Sequence, residues 1–571
     1  MAAKEAHKQY KFRMGQIKIP VDTLIRQCDK QAVKQGIITR KECELVGKKI
    51  AKMLQLKSRI EPEAIHVIRR SLDARKADLF YIYLVEFAIS ENLSEAICKK
   101  YQIRCIEDED KEEDTASKAK NLQAFISKPQ AKDKGAPPVI VGMGPAGLFC
   151  AYMLAKAGMD PVLIERGASV EERKKDVEEF WKTGVLNPQS NVQFGEGGAG
   201  TFSDGKLNTL VKDVSGRNRK VLEIFVEHGA PSEILYLQKP HIGTDRLYQV
   251  IGNMRKELLR LGCTICFHTT LLDILTEDDG KTLTEIVVSK EGKKQHIPCS
   301  RLILATGHSA RDTFSMLEKR KFILEPKPFA IGVRMEHSQS LIDENQYGRF
   351  AGYMPAADYK LTHQTQNGYG VYSFCMCPGG MVVNASSEPE RLAVNGMSDY
   401  GRQGRNANSA IVVTVDTRHF PDTSSLAGVK LQRDLEHKAY LAGQGKIPLQ
   451  LFGDFKEKKI SSGVGGIIPD LCGEYHFADL NNVLPEFISE SIKESMPFFG
   501  RKIKGFDHDE VVLSGIESRT SSPVRIVRNE HLQSNISGVY PCGEGAGYAG
   551  GIMSAAMDGL KVASEILSEE L

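Results

Sequence analysis

Three glycines at fixed spacing, Gly142-x-Gly144-x-x-Gly147, form a pattern that could bind phosphate. They lie between an apolar run and an Ala/Leu-rich segment. The run, 139–141, suits a buried parallel strand, and the segment after it suits a helix. Gly142 permits a tight turn, Gly144 lets the backbone approach a pyrophosphate and Gly147 allows close helix–strand packing. The unpaired N–H groups at a helix N-terminus attract phosphate. The pattern therefore predicts a phosphate-binding turn.

A carboxylate stands where such a unit would hold a ribose. The next apolar run, 162–164, ends at Glu165, which can accept hydrogen bonds from both hydroxyls of an adenosine ribose. Strand, turn, helix and strand together predict a dinucleotide-binding unit, which by itself does not distinguish FAD from NAD. The cofactor contacts predicted here are Gly142, Gly144, Pro145, Ala146, Gly147, Glu165 and Arg166.

Three later segments are predicted to complete the same site. The glycine-rich stretch 195–207 resembles a backbone nest that follows a ligand, with a flexible linker as the alternative. An apolar strand then ends in Ala-Thr-Gly, and near the C-terminus a glycine-rich turn with one carboxylate precedes a small-residue helix, whose N-terminus suits a second nucleotide contact. The contacts predicted in these segments are Gly197, Gly198, Thr201, Ser203, Lys206, Ala305, Thr306, Gly307, Gly543, Glu544, Gly550, Gly551 and Ile552. The sequence thus predicts remote turns that converge on one FAD.

Five side chains are candidates for catalysis. His308 and Arg311 follow the Ala-Thr-Gly turn and could meet the flavin or the substrate, although His308 could equally cap the surface. Arg519, together with Arg525, could form a fork for a carboxylate or phosphate, with a salt bridge inside the sheet as the alternative. The remaining candidates are Cys375 and Cys377, whose spacing puts both thiols on one side of a strand, either as a redox pair or as small buried side chains.

Other potentially reactive residues are assigned no chemistry. Cys263-x-x-Cys266 has redox spacing but lies in a strand-like run, where its thiols would point to opposite faces, so a structural role is predicted. The histidines show no metal-ligand spacing, and no metal site is expected.

Length and composition suit a soluble globular protein of two to four domains. The chain has 571 residues, of which 41% are hydrophobic and 26% charged, and a formal net charge of +3, which directs it neither to nucleic acid nor to a membrane. It shows no signal-peptide pattern and no run long enough to span a bilayer. The cysteine content does not suggest a disulfide scaffold, so a cytoplasmic protein is expected.

The order of predicted elements gives an α/β protein. A Rossmann-like FAD-binding domain is split by an inserted, β-rich (α+β) substrate domain and preceded by a small α/β module. The module contains a basic turn, 69–76, read as a solvated hairpin or as a docking site for an anionic partner. The expected boundaries are 1–106 for the module, 107–135 for a charged linker, 136–320 for the first part of the FAD-binding domain, 321–510 for the inserted domain and 511–571 for the last part of the FAD-binding domain.

Residues 136–571 resemble the glutathione-reductase-type FAD fold without its separate NAD-binding half. The finer strings are similar to a family of bacterial and plastid FAD-dependent dehydrogenases of undefined substrate: SNVQFGEGGAGTFSDGKL, GHSARD, SFCMCPGG, ESRTSSPVRI and GEGAGYAGGI. In that family a module like residues 1–105 precedes the flavin domain. At position 544 the wider flavoprotein group usually has Asp, so Glu544 reaches one methylene further. The resemblance implies a fold and a cofactor, and it leaves the substrate open.

Three functions are compatible with this reading. The first and preferred one is an FAD-dependent oxidoreductase that transfers hydride between the flavin and a small anionic substrate, with NAD(P)H as a transient electron donor. The second is a flavin-dependent RNA-modifying enzyme that docks through the N-terminal module. The third is a non-enzymatic flavin and thiol redox sensor that uses Cys375 and Cys377. Oligomeric state and reaction direction are not readable from the sequence.

Overall fold

The computed structural model describes residues 9–106, 136–209, 211 and 213–569, so the predicted linker, 107–135, lies outside the described residues. Of the helices within these ranges, none has the length and apolar character needed to cross a membrane.

The N-terminal module is an antiparallel sheet covered by helices. Its elements are β1 (Tyr10–Pro20), α1 (Val21–Gln27), α2 (Lys30–Gln35), α3 (Arg40–Leu54), β2 (Ile65–Asp73), β3 (Phe80–Ile89), α4 (Glu95–Tyr101) and β4 (Arg104–Cys105). The strand order is β2-β3-β1-β4. Alternate side chains of β1 and β3 are buried, as expected for a sheet with one covered face.

One expected helix of the module is divided in two. The sequence predicts one helix from Asp22 to Gln35, capped by Asp22 and ended by Gly36. Instead, Cys28 is extended and α2 begins after Asp29, whose side chain accepts a hydrogen bond from the backbone of Ala32 at 2.7 Å. Asp22 is therefore not the cap; it lies inside α1. Gly36 ends α2 in a left-handed conformation, as predicted.

The next part of the chain alternates helices with short buried strands. Its elements are β5 (Val139–Val141), α5 (Pro145–Lys156), β6 (Val162–Ile164), α6 (Val170–Thr183), α7 (Arg217–Glu227), α8 (Thr244–Arg260), β7 (Thr264–Cys266), β8 (Thr269–Thr276), β9 (Leu283–Lys290), β10 (Lys293–Pro298), β11 (Leu302–Leu304), α9 (Arg311–Lys319) and β12 (Leu324–Pro326).

The remainder is richer in strands. Its elements are β13 (Phe329–Ser338), α10 (Gln339–Tyr347), β14 (Thr362–Gln364), β15 (Gly370–Cys377), β16 (Met381–Asn384), β17 (Val394–Met397), β18 (Asn406–Val415), α11 (Ala427–Ala442), β19 (Ile447–Leu451), α12 (Phe452–Glu457), β20 (Leu471–Cys472), β21 (Tyr475–Phe477), α13 (Glu486–Lys502), β22 (Val512–Glu517), β23 (Val524–Ile526), β24 (Val539–Pro541) and α14 (Ile552–Glu569).

A five-stranded parallel sheet of order β24-β11-β5-β6-β7 organises the site. In its register Leu304 is paired with both Val141 and Pro541, so three strands from distant parts of the chain end at one edge. Ligands of open α/β sheets bind beyond the carboxyl ends of such strands. The sequence predicts a β meander of three segments, the first of them Thr264 to His268. That prediction is wrong for the first segment, because Thr264–Cys266 pairs with β6 in the parallel sheet, and the meander contains β8, β9 and β10.

A seven-stranded sheet forms the centre of the β-rich region, in the order β14-β15-β18-β13-β22-β19-β21. It includes Val512–Glu517, which lies beyond the expected boundary at 510. The chain enters this region through β12 and leaves it through β23, and these two strands pair with each other antiparallel.

The N-terminal module packs on the rest of the molecule. The backbone N–H of Arg70 donates to the carbonyl of Tyr236 at 2.8 Å, and Phe350 and Met354 lie in the hydrophobic core of the module. The basic turn also differs from expectation, since Arg70 is buried against Glu42 and Arg75 pairs with Asp73. Much of the positive charge expected at this surface is therefore internally neutralised.

Candidate flavin site

The three glycine-rich turns meet in space, as their shared sheet edge requires. A Cβ atom at Gly142 would overlap the carbonyl oxygen of Ala305, and one at Gly543 would lie 2.6 Å from the Cβ of Ala146. Both glycines also have positive φ angles, +104° and +77°. These positions require glycine because Gly142 touches the backbone of the neighbouring turn, Gly543 packs on the side chain of Ala146, and both have positive φ angles.

The turns line one cleft of about 460 Å³. Of the residues predicted to bind a cofactor or to act in catalysis, the following lie on its wall: Gly142, Gly144, Pro145, Ala146, Glu165, Arg166, Gly198, Ser203, Lys206, Ala305, Thr306, Gly307, His308, Cys375, Cys377, Arg519, Glu544, Gly550, Gly551 and Ile552. Residues more than 400 positions apart in the chain therefore share one site.

This wall fits the phosphates of a dinucleotide. Pro145 is the first residue of α5, so the helix N-terminus faces the cleft without a side-chain cap. A Cβ at Gly198 would lie 2.9 Å from the Cα of Gly144, so the glycine-rich stretch closes over the first turn with no side chain between them. The residues present thus match the demands of an extended, doubly charged cofactor such as FAD.

Glu165 joins three segments of the site. Its carboxylate accepts hydrogen bonds from the backbone N–H groups of Met143 at 2.8 Å, Gly167 at 2.9 Å and Gly195 at 3.0 Å. The sequence predicts that this carboxylate binds a ribose. Because three of its acceptor positions are already used by the backbone, it also fixes the geometry of both glycine-rich segments.

Four glycine-turn residues predicted to bind the cofactor lie behind the wall. Gly147 is packed against the backbone of Gly142, and Thr201 lies over Gly197, which leaves no room for a side chain there. Gly543 packs on Ala146. These residues position the turns and do not themselves line the cleft.

Arg311 and Arg519 are engaged by buried carboxylates. Both guanidinium groups donate to Glu436, each with a 2.8 Å contact, and Arg311 also pairs with Glu388 at 2.5 Å. Burial by itself would raise the pKa of Glu436, but the two arginines outweigh that effect and lower it. Arg311 lies off the cleft wall, and Arg519, although on it, has its fork occupied by Glu436. Arg525 is exposed and lies off the wall.

His308 is held by the acidic residue of the last turn. Its Nδ1 lies 3.2 Å from Glu544 Oε1, and its Nε2 is buried without a hydrogen-bond partner among the described residues. The longer side chain of Glu544 therefore reaches the imidazole of the second turn.

Cys375 and Cys377 both line the cleft but differ in exposure. Their strand β15 has a bulge between Phe374 and Cys377, so Cys375 faces the cleft while Cys377 is buried and donates its thiol to the Cys375 carbonyl at 3.3 Å. The exposed surface of Cys375 lies inside the cleft, where the surrounding protein raises the pKa of its thiol to about 12. Burial likewise raises the pKa of Cys377. Both thiols are therefore protonated near neutral pH.

Several ionisable side chains of the wall were not predicted as site residues, among them Asp204, Asp358, Lys360 and Glu517. Glu517 pairs with the buried Arg334 at 3.2 Å, and Arg334 also donates to the Cys375 carbonyl at 2.8 Å. Burial raises the pKa of Glu517 despite the opposing effect of Arg334. Glu517 begins the string ESRTSSPVRI, but its partner Arg334 lies 183 positions away, so local spacing could not have predicted the pair.

Known families and proteins match both halves of the chain. Residues 136–315 match the family described as "FAD binding domain", and residues 328–520 match "FAD-dependent protein, C-terminal domain-like". A protein of Clostridium beijerinckii, printed as "Uncharacterized protein", is 45% identical over 536 residues, which cover 92% of this chain and 96% of the relative.

Solved structures show a distant likeness. A flavoprotein/dehydrogenase from Cytophaga hutchinsonii has 12% identity over 76% of this chain and 80% of its own, with a TM-score of 0.35. The glycerol-3-phosphate dehydrogenase from Bacillus halodurans, complexed with FAD, has 12% identity over 79% and 67%, with a TM-score of 0.34. The two family matches and the long, 45% identical relative establish that the chain belongs to a family of FAD-dependent proteins, and its cofactor is FAD.

Proposed function

We propose that this protein transfers hydride between bound FAD and a small anionic substrate. The observation that supports the proposal most is the convergence of three remote turns on a cleft that also contains ionisable and thiol side chains. In the same proposal the FAD-binding domain is of the glutathione-reductase type, and the region between β12 and β23 is an inserted substrate domain.

The wall of the cleft contains residues that would bind the cofactor and ionisable side chains that would act on the substrate. The first turn and α5 would hold the pyrophosphate, Glu165 the ribose, and the N-terminus of α14 the polar edge of the flavin. When bound, FAD supplies the hydride chemistry that side chains lack.

The protein side chains would manage protons and position. Glu517, a carboxylic acid with a raised pKa, suits the exchange of a proton with substrate. His308 is oriented by Glu544, and Arg334 fixes both Glu517 and the backbone of Cys375. The inserted sheet would then exclude water from the reacting end of the cleft.

The side chains at the cleft and at the basic turn give little support to the two alternative functions, a thiol redox sensor and an RNA-modifying enzyme. A redox sensor needs a reactive thiolate, whereas the pKa of Cys375 is raised to about 12. RNA docking through the basic turn needs free cations, whereas Arg70 is buried and Arg75 is paired.

The proposal is tested on the purified full-length protein. We expect heat to release one equivalent of FAD, and we expect NADPH or NADH to bleach the flavin absorbance under anaerobic conditions. The Gly142→Ala variant should lose FAD, because its Cβ would overlap Ala305; Gly463→Ala is the matched control, with open space around that position. A colourless protein that takes up no FAD, or a flavin that no reduced pyridine nucleotide or reduced metabolite bleaches, would contradict the proposal.

A further inference from the structure

The cleft has a second set of wall residues besides those of the glycine turns. They belong to the strand-rich region: Tyr359, Lys360, Ser373, Phe374, Cys375 and Asn395. Ser373 exchanges backbone and side-chain hydrogen bonds with Leu361, which places Lys360 beside the strand of Cys375. This end of the cleft is therefore built from elements that the nucleotide-binding unit does not include.

The carboxylates of the wall are already paired. Asp358 binds Lys239 at 2.8 Å, Glu517 binds Arg334 at 3.2 Å and Glu544 lies 3.2 Å from His308. Glu165 is satisfied by backbone N–H groups. None of these acids is left to neutralise a further cation in the cleft.

The arginines of the wall are paired as well. Arg166 binds Asp312 at 3.0 Å, and Arg519 binds Glu436 at 2.8 Å. The charge of each guanidinium group is therefore already balanced by a carboxylate.

Two lysines are the exceptions. Lys206 Nζ lies 3.7 Å from Asp204, but that carboxylate already accepts two hydrogen bonds from Arg402, at 2.9 and 2.5 Å, and one from Ser398. Lys360 is exposed and forms no ion pair with any residue that the structure describes. The cleft therefore holds two ammonium groups whose charge is not locally balanced.

We propose that Lys206 and Lys360 form an anion subsite that holds a carboxylate or phosphate group of the substrate. This assignment rests on the proposed function and replaces the expected arginine fork as the source of anion binding. It also moves Lys206 from the cofactor contacts to the substrate. Two unbalanced cations in a partly enclosed cleft attract an anion more strongly than they would in open solvent. Because an ammonium group is a compact point charge, the pair can accept either anion.

The test measures anion binding to the FAD-loaded protein by calorimetry at low ionic strength. Acetate, succinate and inorganic phosphate are titrated in turn, with tetramethylammonium chloride as the salt control. We expect at least one probe to bind saturably, and we expect Lys206→Met and Lys360→Met each to weaken that binding about tenfold, which corresponds to the loss of one charge-assisted contact. Lys294→Met, at an exposed lysine of β10, should bind as the native protein does.

The measurements separate this subsite from the cofactor site. FAD content should be unchanged in both lysine variants, and carboxylate and phosphate probes identify which anion the subsite prefers. The proposal fails if no probe binds saturably, if Lys360→Met binds as tightly as the native protein, or if Lys206→Met loses FAD. A native protein without FAD would instead count against the proposed function itself.

Discussion

Cys375 occupies an unusual backbone conformation at the wall of the cleft. Its φ angle is +42°, in the left-handed region, which costs an L-residue with a Cβ roughly 1–2 kcal/mol. The hydrogen bond from Arg334 to its carbonyl, at 2.8 Å, helps to hold this conformation. A strained residue that faces a cofactor cleft is a common feature of functional sites.

The strain at Cys375 predicts an ordering of two variants. Cys375→Gly should be more stable than Cys375→Ala by about 1 kcal/mol, because glycine accepts a positive φ angle without steric cost. Urea unfolding of the FAD-loaded variants measures the difference. Equal stability, or a more stable alanine variant, would mean that the backbone of the bulge is not strained.

Glu336 gives the stability a pH dependence. It is buried, its Oε1 accepts from Asn406 and from the Asp470 backbone at 2.9 Å, and its Oε2 has no partner among the described residues. Burial raises its pKa to about 7. Between its unfolded pKa, near 4.3, and about 7 the folded state holds the extra proton, so stability falls as pH rises through this window.

Glu336→Gln should remove this dependence. The variant should match the native protein near pH 4 and exceed it at pH 8 by up to about 3 kcal/mol, because an amide never has to ionise in the core. Thermal and urea unfolding at the two pH values measure it. Glu530→Gln, at an exposed carboxylate, should not change the pH dependence. A Glu336→Gln variant that is no more stable at pH 8 than the native protein would contradict the assigned pKa direction.

At the scale of elements, two helices are held at close range behind the turns. A Cβ at Gly559 of α14 would overlap the carbonyl oxygen of Ala146 in α5, so these helices approach backbone to backbone. Since α5 begins at the first turn and α14 follows the last, their contact sets the spacing between the two glycine-rich turns.

Gly559→Ala should therefore push the two helices apart. We expect a loss of about 1–3 kcal/mol in the free energy of unfolding, the usual cost of overpacking, and weaker retention of FAD. Unfolding curves and the ratio of flavin to protein absorbance measure both effects. Gly463→Ala, in open space, should leave both unchanged. If Gly559→Ala kept full stability and FAD, the helix contact would not control the site.

At the scale of the whole molecule, the N-terminal module is packed against the segments that lead to the cleft. The backbones of Tyr236 and Gln238 form hydrogen bonds with the backbone of Arg70. The same segment continues to His241, whose backbone forms an isolated antiparallel β-bridge with that of Lys206. A second segment runs from Phe350 in the core of the module to Lys360 in the cleft wall. Through these connections the module supports the end of the cleft that contains Lys206 and Lys360.

Phe350→Ala tests this support. Removing a buried phenyl ring from the core of the module should cost about 3–5 kcal/mol and should increase amide hydrogen exchange in β2 and β3 before the parallel sheet opens. Mass spectrometry of exchanged peptides resolves the two regions. Leu441→Ala, at a side chain that is 60% exposed, is the control. Equal protection of β2 and β3 in Phe350→Ala and the native protein would show that the module does not depend on this contact.

The nucleotide-binding unit was predictable from local residue spacing, because the motif that forms it lies within about thirty residues. Strand, glycine turn, helix and carboxylate follow one another closely, so Gly142, Gly144 and Glu165 could be assigned before any contact was known. The resemblance of several sequence strings to a known family then indicated FAD as the cofactor. Neighbouring elements of the module, such as β1 and the β2–β3 pair, were predictable for the same local reason.

Which charged side chains lack a balancing ion pair was evident from the tertiary structure and not from the sequence. Arg311, Arg519 and Arg70 look like free cations in the sequence, yet each meets a buried carboxylate from a distant element, while Lys206 and Lys360 do not. The ion pair that holds Glu517 at the cleft likewise comes from a distant element, the strand of Arg334. Ion pairs between residues far apart in the sequence depend on how strands from separate parts of the chain are ordered in a sheet. Local residue spacing does not predict that order.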